Sequence, residues 1–113
     1  MKQKEQLSEA ALEMIAARFK ILSEPMRLKL VYALMDGEKT VSELIRETGG
    51  LQANVSKHLG ILLDAGIVRR RKQGLHAYYR VADESIYALC DLVCNSLQHR
   101  LRTSLRSLNP DRR

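Results

Sequence analysis

Apolar residues recur at helical spacing in five separate runs of this chain, and a single segment reads as a pair of strands. Leu12, Ile15, Phe19 and Leu22 fall about one turn apart and predict a helix over Ser8–Leu22. Ser23-Glu24-Pro25 interrupts it, and Pro25 suits the first turn of a second helix, where a missing N–H costs nothing. That helix carries Met26, Leu28, Leu30, Val31 and Leu34 and stops at Asp36-Gly37. Thr40 and Glu43 have the T-x-x-E spacing of a capping box, so a third helix runs over Val41–Thr48. Gly49-Gly50 then turns the chain into a fourth helix, Gln52–Ala65, which ends at Asp64-Ala65-Gly66. Ile67–Lys72 and His76–Val81 predict the two strands of a hairpin turning at Gln73-Gly74, with Gly supplying the positive φ of a tight turn. A last helix, about Asp83–Ser107, carries the stripe Ile86, Leu89, Cys90, Val93, Cys94, Leu97 and Leu101. The first six residues and the tail Leu108–Arg113 are expected to fray.

Two helices joined by a short Gly-containing turn can set the second of them in a DNA major groove. Residues 41–65 have that order, and residues 67–81 follow as a basic ribbon able to reach phosphates beside it. The expected fold is therefore mainly α with a β-hairpin wing, a winged helix-turn-helix. At about 100° per residue, Val55, Leu59 and Leu62 form the inward stripe of the fourth helix. Ala53, Lys57 and Gly60 lie opposite, flanked by Asn54 and Ser56, a small polar face suited to a groove about 12 Å wide. Gln52 and Asn54 can each make a bidentate contact to adenine, and Lys57 can reach guanine or a phosphate. His58 sits between the faces and reads as a phosphate or packing residue rather than a base reader. Gly60 weakens a helix, so its presence points to a close approach on that face.

Charge sharpens this picture. Nineteen Lys and Arg against thirteen Asp and Glu give a formal charge of +6, which suits a polyanion but does not by itself identify one. Clustering is more telling: Arg69, Arg70, Arg71, Lys72 and Arg80 all fall on the expected wing. Charged residues also guard sheet edges, but four consecutive cations repel one another and favour an anionic partner. Tyr78 and Tyr79 read first as strand packing. A chain of 113 residues is expected to form one domain, 1–113, small enough to gain from dimerisation. The stripes of the first and last helices, residues 8–22 and 83–107, present more apolar surface than a lone protomer can cover, so a two-fold homodimer through them is expected. Its symmetry implies double-stranded DNA with a palindromic operator. The start MKQKEQLSEAALEM is too polar for a signal peptide and no run is long enough to span a bilayer, so no membrane partner is expected. Two cysteines do not make a secreted disulfide scaffold, and a reducing cytoplasm is the expected location.

The segments SEPMRLKLVYAL, TVSELIRETGG, ANVSKHLGILLDAGIV and RRRKQGLHAYYRV together resemble the ArsR/SmtB-type winged helix-turn-helix repressors over nearly the whole chain. Glu24 through Val31 resembles the family's D-P-x-R-x-x-I-L-like second helix, and Ala53 through Val68 its recognition helix. The chain departs from the pattern at Leu51, where a capping Ser is common. The resemblance implies a homodimer of α-α-α-α-β-β-α protomers that represses an operon and releases DNA on binding an inducer. It also implies metal sensing through cysteines of the third helix or an Asp-x-His…His-x-x-Glu set on the last, and this chain has neither.

Cys90 and Cys94 remain as candidate sensor residues. Spacing of i,i+4 puts both sulfurs on one helical face, with Cβ atoms about 5–6 Å apart. Three readings stay open: small buried hydrophobes within the stripe, a thiol redox or persulfide switch, or capture of a thiophilic metal ion or arsenite. A direct disulfide would need Cβ atoms about 3.5–4.5 Å apart and would distort the helix, whereas a polysulfide bridge is longer. His99 lies about 140° around the helix from Cys94 and cannot join a metal site with it on one chain. No cofactor is otherwise expected. His58, His76 and His99 belong to different elements, and no nucleophile–base pair or phosphate loop supports an enzyme. An architectural DNA-binding protein without ligand control would share the wing and recognition helix, and differ only at the cysteines.

Overall fold

A computed structural model describes the backbone of residues 6–108 and the side chains of residues 6–104. The fraying expected at the two ends concerns residues that lie almost wholly outside this range. The chain forms two compact units, one ending at Ala82 and the other beginning at Asp83.

The first unit opens with α1, Glu9–Leu22, whose N-terminus is capped by the Ser8 hydroxyl accepting from the Ala11 N–H at 3.0 Å. Its face is largely solvent-exposed, including Leu12, Met14, Ile15 and Phe19. Pro25 opens α2, Pro25–Ala33, and the Glu24 carboxylate accepts from the N–H groups of Met26 and Arg27. The helix tightens into a 3₁₀ turn over Leu34–Asp36, so the stop expected at Asp36-Gly37 is reached by a change of helix type.

A two-residue strand, β1 (Lys39–Thr40), follows and was not expected. Thr40 then caps α3, Val41–Thr48, by a reciprocal box: the Glu43 N–H donates to the Thr40 hydroxyl, and the Thr40 N–H donates to the Glu43 carboxylate at 2.8 Å. That backbone donor holds the Glu43 carboxyl below the usual carboxylate range. Gly49 closes α3 in the left-handed conformation, φ 73°. The next helix, α4 (Gln52–Asp64), has no side-chain cap at Leu51, as its departure from the capping Ser anticipated.

The hairpin strands are β2, Val68–Gln73, and β3, His76–Val81. They pair antiparallel from Val68↔Val81 to Gln73↔His76, and β1 lies on the far side of β3, giving the order β1-β3-β2. The turn is Gly74-Leu75, one residue later than expected. Gly74 takes φ 62° and Leu75 no positive φ, which fits a turn with Gly in its first central position. These elements form the expected winged helix-turn-helix, with a third short strand added at the root of the wing.

The core lies where α2, α3, α4 and the root of the hairpin meet. Leu30, Val31, Leu34, Leu44, Val55, Leu59, Leu62, Ile67 and Val68 are fully buried. The second unit contains α5, Ser85–Leu108. Asp83 precedes it, and its carboxylate accepts from both the N–H and the hydroxyl of Ser85. Leu92, Val93, Leu97 and Leu101 of α5 are exposed. Among the described residues no helix is long and apolar enough to cross a membrane.

Two glycines test this packing in opposite directions. A Cβ at Gly50 would lie 2.8 Å from Cγ2 of the fully buried Val55, a stiff side chain, whereas one at Gly60 meets nothing within 4 Å. Gly50→Ala should therefore lower the thermal midpoint. Gly60→Ala should raise stability by roughly 0.5–1 kcal/mol, the ordinary gain on removing a helix glycine. Denaturant unfolding of both variants checks the pair, and equal effects would contradict the turn geometry.

Candidate nucleic-acid interface

The burial of α4 separates its two faces. Val55, Leu59 and Leu62 are buried, and this fixes which residues can reach outward. Gln52, Ala53, Asn54, Ser56 and Lys57 are all exposed, so these five of the positions singled out on this helix share one continuous outer surface from its first turn onward. The helix N-terminus contributes backbone N–H groups and the positive end of its dipole to the same surface. Gly60 is only partly exposed, and no side chain closes over it.

His58 is placed apart from that group. It is 7% exposed, and its Nδ1 accepts a hydrogen bond from Arg27 Nε at 3.1 Å. Its place beside the inward stripe explains this: position 58 follows Val55 by about one turn and adjoins Leu59. Of the two roles expected, packing is the one this geometry serves, and a phosphate contact is not available to the buried ring. Arg27 had not been singled out, since nothing local connects it to a residue 31 positions away.

On the wing, Arg69, Arg70, Arg71, Lys72 and Arg80 are all exposed. They are not equivalent. Arg71 donates to both carboxylate oxygens of Glu38, at 2.8 and 3.1 Å, and to the Gln73 side chain. Its guanidinium also lies 4.8 Å from the centre of the Tyr78 ring. The hydrogen bond from Arg71 holds the Glu38 carboxyl below the usual range, and the positive charge of Arg80 adds to the effect. Four consecutive cations thus act as three plus one compensated pair. Among the described residues no carboxylate pairs with Arg69, Arg70 or Lys72. Arg69 lies directly opposite Arg80 across the β2–β3 ladder. Like charges so placed destabilise a strand pair unless an anion joins them.

Tyr79 is buried and Tyr78 half-buried, so both pack in the strand as expected. Leu75 stands fully exposed at the wing tip, a feature that periodicity did not flag. On α5, Cys90 is buried and Cys94 exposed, so the two sulfurs differ in access although they share a helical face. Among the described residues no group of three or more His, Cys, Asp or Glu side chains is arranged to hold a metal ion.

Comparison with known proteins places this architecture. Residues 24–70 match the family model described as bacterial regulatory protein, arsR family. The chain is 36% identical over 84 residues to a biofilm growth-associated repressor of Xylella fastidiosa, covering 71% of this chain and 74% of that protein. It is 38% identical over 68 residues to a probable mercury resistance operon repressor of Streptomyces lividans, a match over 60% of this chain that spans only 54% of that protein. Among solved structures, a homodimeric winged helix-turn-helix DNA-binding domain from Mycobacterium bovis superposes with a TM-score of 0.77 at 29% identity, covering 91% of this chain and 95% of that one. With its family pattern, its fold and its repressor relatives in agreement, the chain belongs to the arsR family of bacterial regulatory proteins.

Proposed function

We propose that this protein is a sequence-specific transcriptional repressor that binds a palindromic operator in double-stranded DNA as a homodimer. In this reading an inducer releases it through thiol chemistry at Cys90 and Cys94. The observation that carries the DNA-binding part is one continuous outer surface on α4 in the same compact unit as a wing on which Arg69, Arg70 and Lys72 pair with no carboxylate among the described residues. Asn54 and Gln52 read base edges, Ala53 and Ser56 permit close approach, and Lys57 reaches a base or a phosphate. Arg69, Arg70 and Lys72 contact phosphates, with Arg71 contributing less while Glu38 holds it. The dimer is supported by the homodimeric relative and by the exposed apolar residues on α1 and on α5, each of which a second copy can cover.

The thiol reading rests on the pairing of Cys90 and Cys94 one turn apart and on the absence, among the described residues, of a group of three ligands that includes them. An organic trisulfide, for example, exchanges with two thiols to leave a Cys–S–S–S–Cys bridge and two molecules of the donor's thiol. That bridge spans more than a disulfide and strains the helix less. The likeness to a probable mercury resistance operon repressor favours a second reading, in which the same two thiolates capture a thiophilic metal with ligands completed by the partner protomer. On either reading the relatives' role is regulatory rather than enzymatic.

Salt dependence tests the wing. Replacing Arg69 and Arg70 by Gln should weaken binding to every sequence alike and lower the slope of log K against log salt by about one unit per contact per protomer. Arg71→Gln should lower it less, because its charge is already matched by Glu38. An unchanged slope in the first variant would turn the wing away from DNA.

Specificity tests α4. Asn54→Ala should cost about 1–3 kcal/mol at one base position of each half-site while sparing affinity for unrelated DNA. Uniform weakening across a panel of single-base operator variants would make Asn54 a phosphate contact instead.

The switch is tested by Cys90→Ser/Cys94→Ser. It should bind operator DNA normally and ignore an inducer that lowers wild-type affinity by about 1–3 kcal/mol. Mass spectrometry separates the two readings: added sulfur with loss of two hydrogens for thiol chemistry, added metal for capture. A double variant that still releases DNA would reduce the cysteines to packing.

A further inference from the structure

We propose that Arg27 is a positioning residue that sets the seating of α4 through His58 and ties it to the end of α1; this rests on the DNA-binding reading above. Its guanidinium makes two hydrogen bonds to two other helices. Nε donates to Nδ1 of His58 in α4 at 3.1 Å, and Nη1 donates to the Ile21 carbonyl at 3.1 Å. Ile21 lies in the last turn of α1, where carbonyls have no partner within the helix, and a cation there is also favoured by the helix dipole. One residue of α2 therefore joins the C-terminal end of α1 to the middle of the recognition helix.

The chemistry of the link is specific. Accepting at Nδ1 places the His58 proton on Nε2, which faces the Glu24 carboxylate at 3.9 Å. Glu24 is itself held, since its other carboxylate oxygen accepts from the N–H groups of Met26 and Arg27. His58 is thus flanked on one side by a cation that donates to it and on the other by an anion, and its ring is buried between them. The planar fork holds Nε and Nη1 in fixed directions toward His58 and Ile21, whereas the ammonium of Lys offers its donors from a single freely rotating point.

His58 lies one turn after Asn54 and adjoins Lys57, so a shift of its ring moves the outward residues of α4. A bidentate base contact tolerates only about 0.5 Å of misplacement before it loosens, whereas phosphate contacts by long flexible cations tolerate more. Loss of the Arg27–His58 bond therefore degrades discrimination between sequences before it degrades affinity for DNA in general. Because α1 offers an apolar face for a second copy, the same bond lets the dimer helix bias the reading helix without passing through the wing.

The test uses the full chain and a duplex selected by the wild-type protein from a randomised pool, against a scrambled duplex of equal length and composition. The readout is the ratio of the two dissociation constants at fixed salt. Arg27→Lys, which keeps the charge, and His58→Leu, which keeps the bulk, should each lower that ratio about tenfold. The double variant should be no worse than either single. His58→Asn, whose Oδ1 can stand in for Nδ1, should restore most of the loss. Nitrogen-15 NMR of the free protein should find the His58 proton on Nε2 in the wild type, a reading that needs no DNA and no variant.

A proton on Nδ1, an undiminished ratio in folded Arg27→Lys and His58→Leu proteins, or additive losses in the double variant would each overturn the proposal. A wild type that enriches no duplex from the pool overturns the DNA-binding reading and this proposal together. A selective wild type with equally selective variants overturns only the proposal.

Discussion

Burial of one stripe of α4 is the constraint on which the rest of this structure depends. Val55, Leu59 and Leu62 have no exposed surface, and they share a core with Leu30, Val31, Leu34 and Leu44 of the preceding helical segments. Each such side chain contributes about 1.5–3 kcal/mol when removed from water. Together they outweigh any preference of the opposite face by a wide margin. The outer surface of α4 is therefore free to carry residues chosen for reach and size, including Ala53, Ser56 and a glycine at position 60 that a helix would otherwise resist. The helix is held from behind so that its front need contribute nothing to folding.

The same division explains what local chemistry made legible. Both ends of α3 agree with the expectation, because Thr40, Glu43 and Gly49 write their caps within a few residues of sequence. The inward and outward faces of α4 were legible for the same reason, since a period of 3.6 is carried by the residues themselves. The hairpin turn was displaced by one residue, because Gly74 satisfies a turn as its second residue or as its first, and only the Gln73↔His76 register decides. A strand of two residues, Lys39–Thr40, is too short to carry any period. It exists because Tyr78 and Tyr79 offer an edge to pair with.

Long-range polar pairs were the part that could not be read. His58 sits at the border of two faces, and the group that donates to its Nδ1 is Arg27, 31 positions earlier. Arg71 is indistinguishable from its neighbours in the RRRK run, yet in the fold Glu38, 33 positions away, holds it. Neither link has a spacing that a sequence pattern can reveal, because each follows from how helices and strands meet in space. Of the candidate interface, the residues that project outward were legible, and the residues that orient or restrain them were not.

The Arg71–Glu38 pair shows how such a restraint acts. Its hydrogen bonds lower the folded-state pKa of Glu38, so the pair's contribution is present above the ordinary carboxylate range and is lost as pH falls through the depressed value. At neutral pH the carboxylate is therefore charged and bound. Both groups are partly exposed, and solvent screening keeps the stabilisation small. Its effect is chiefly geometric: it fixes the guanidinium over Tyr78 and fastens β2 to the segment preceding β1. The cost falls on charge, since an anion approaching Arg71 meets Glu38 as well. Arg69 and Arg80 lie opposite one another and keep an excess of positive charge on the ladder. A wing held this way gives up one cation's attraction for a fixed root, and leaves the attraction to the cations that no carboxylate restrains.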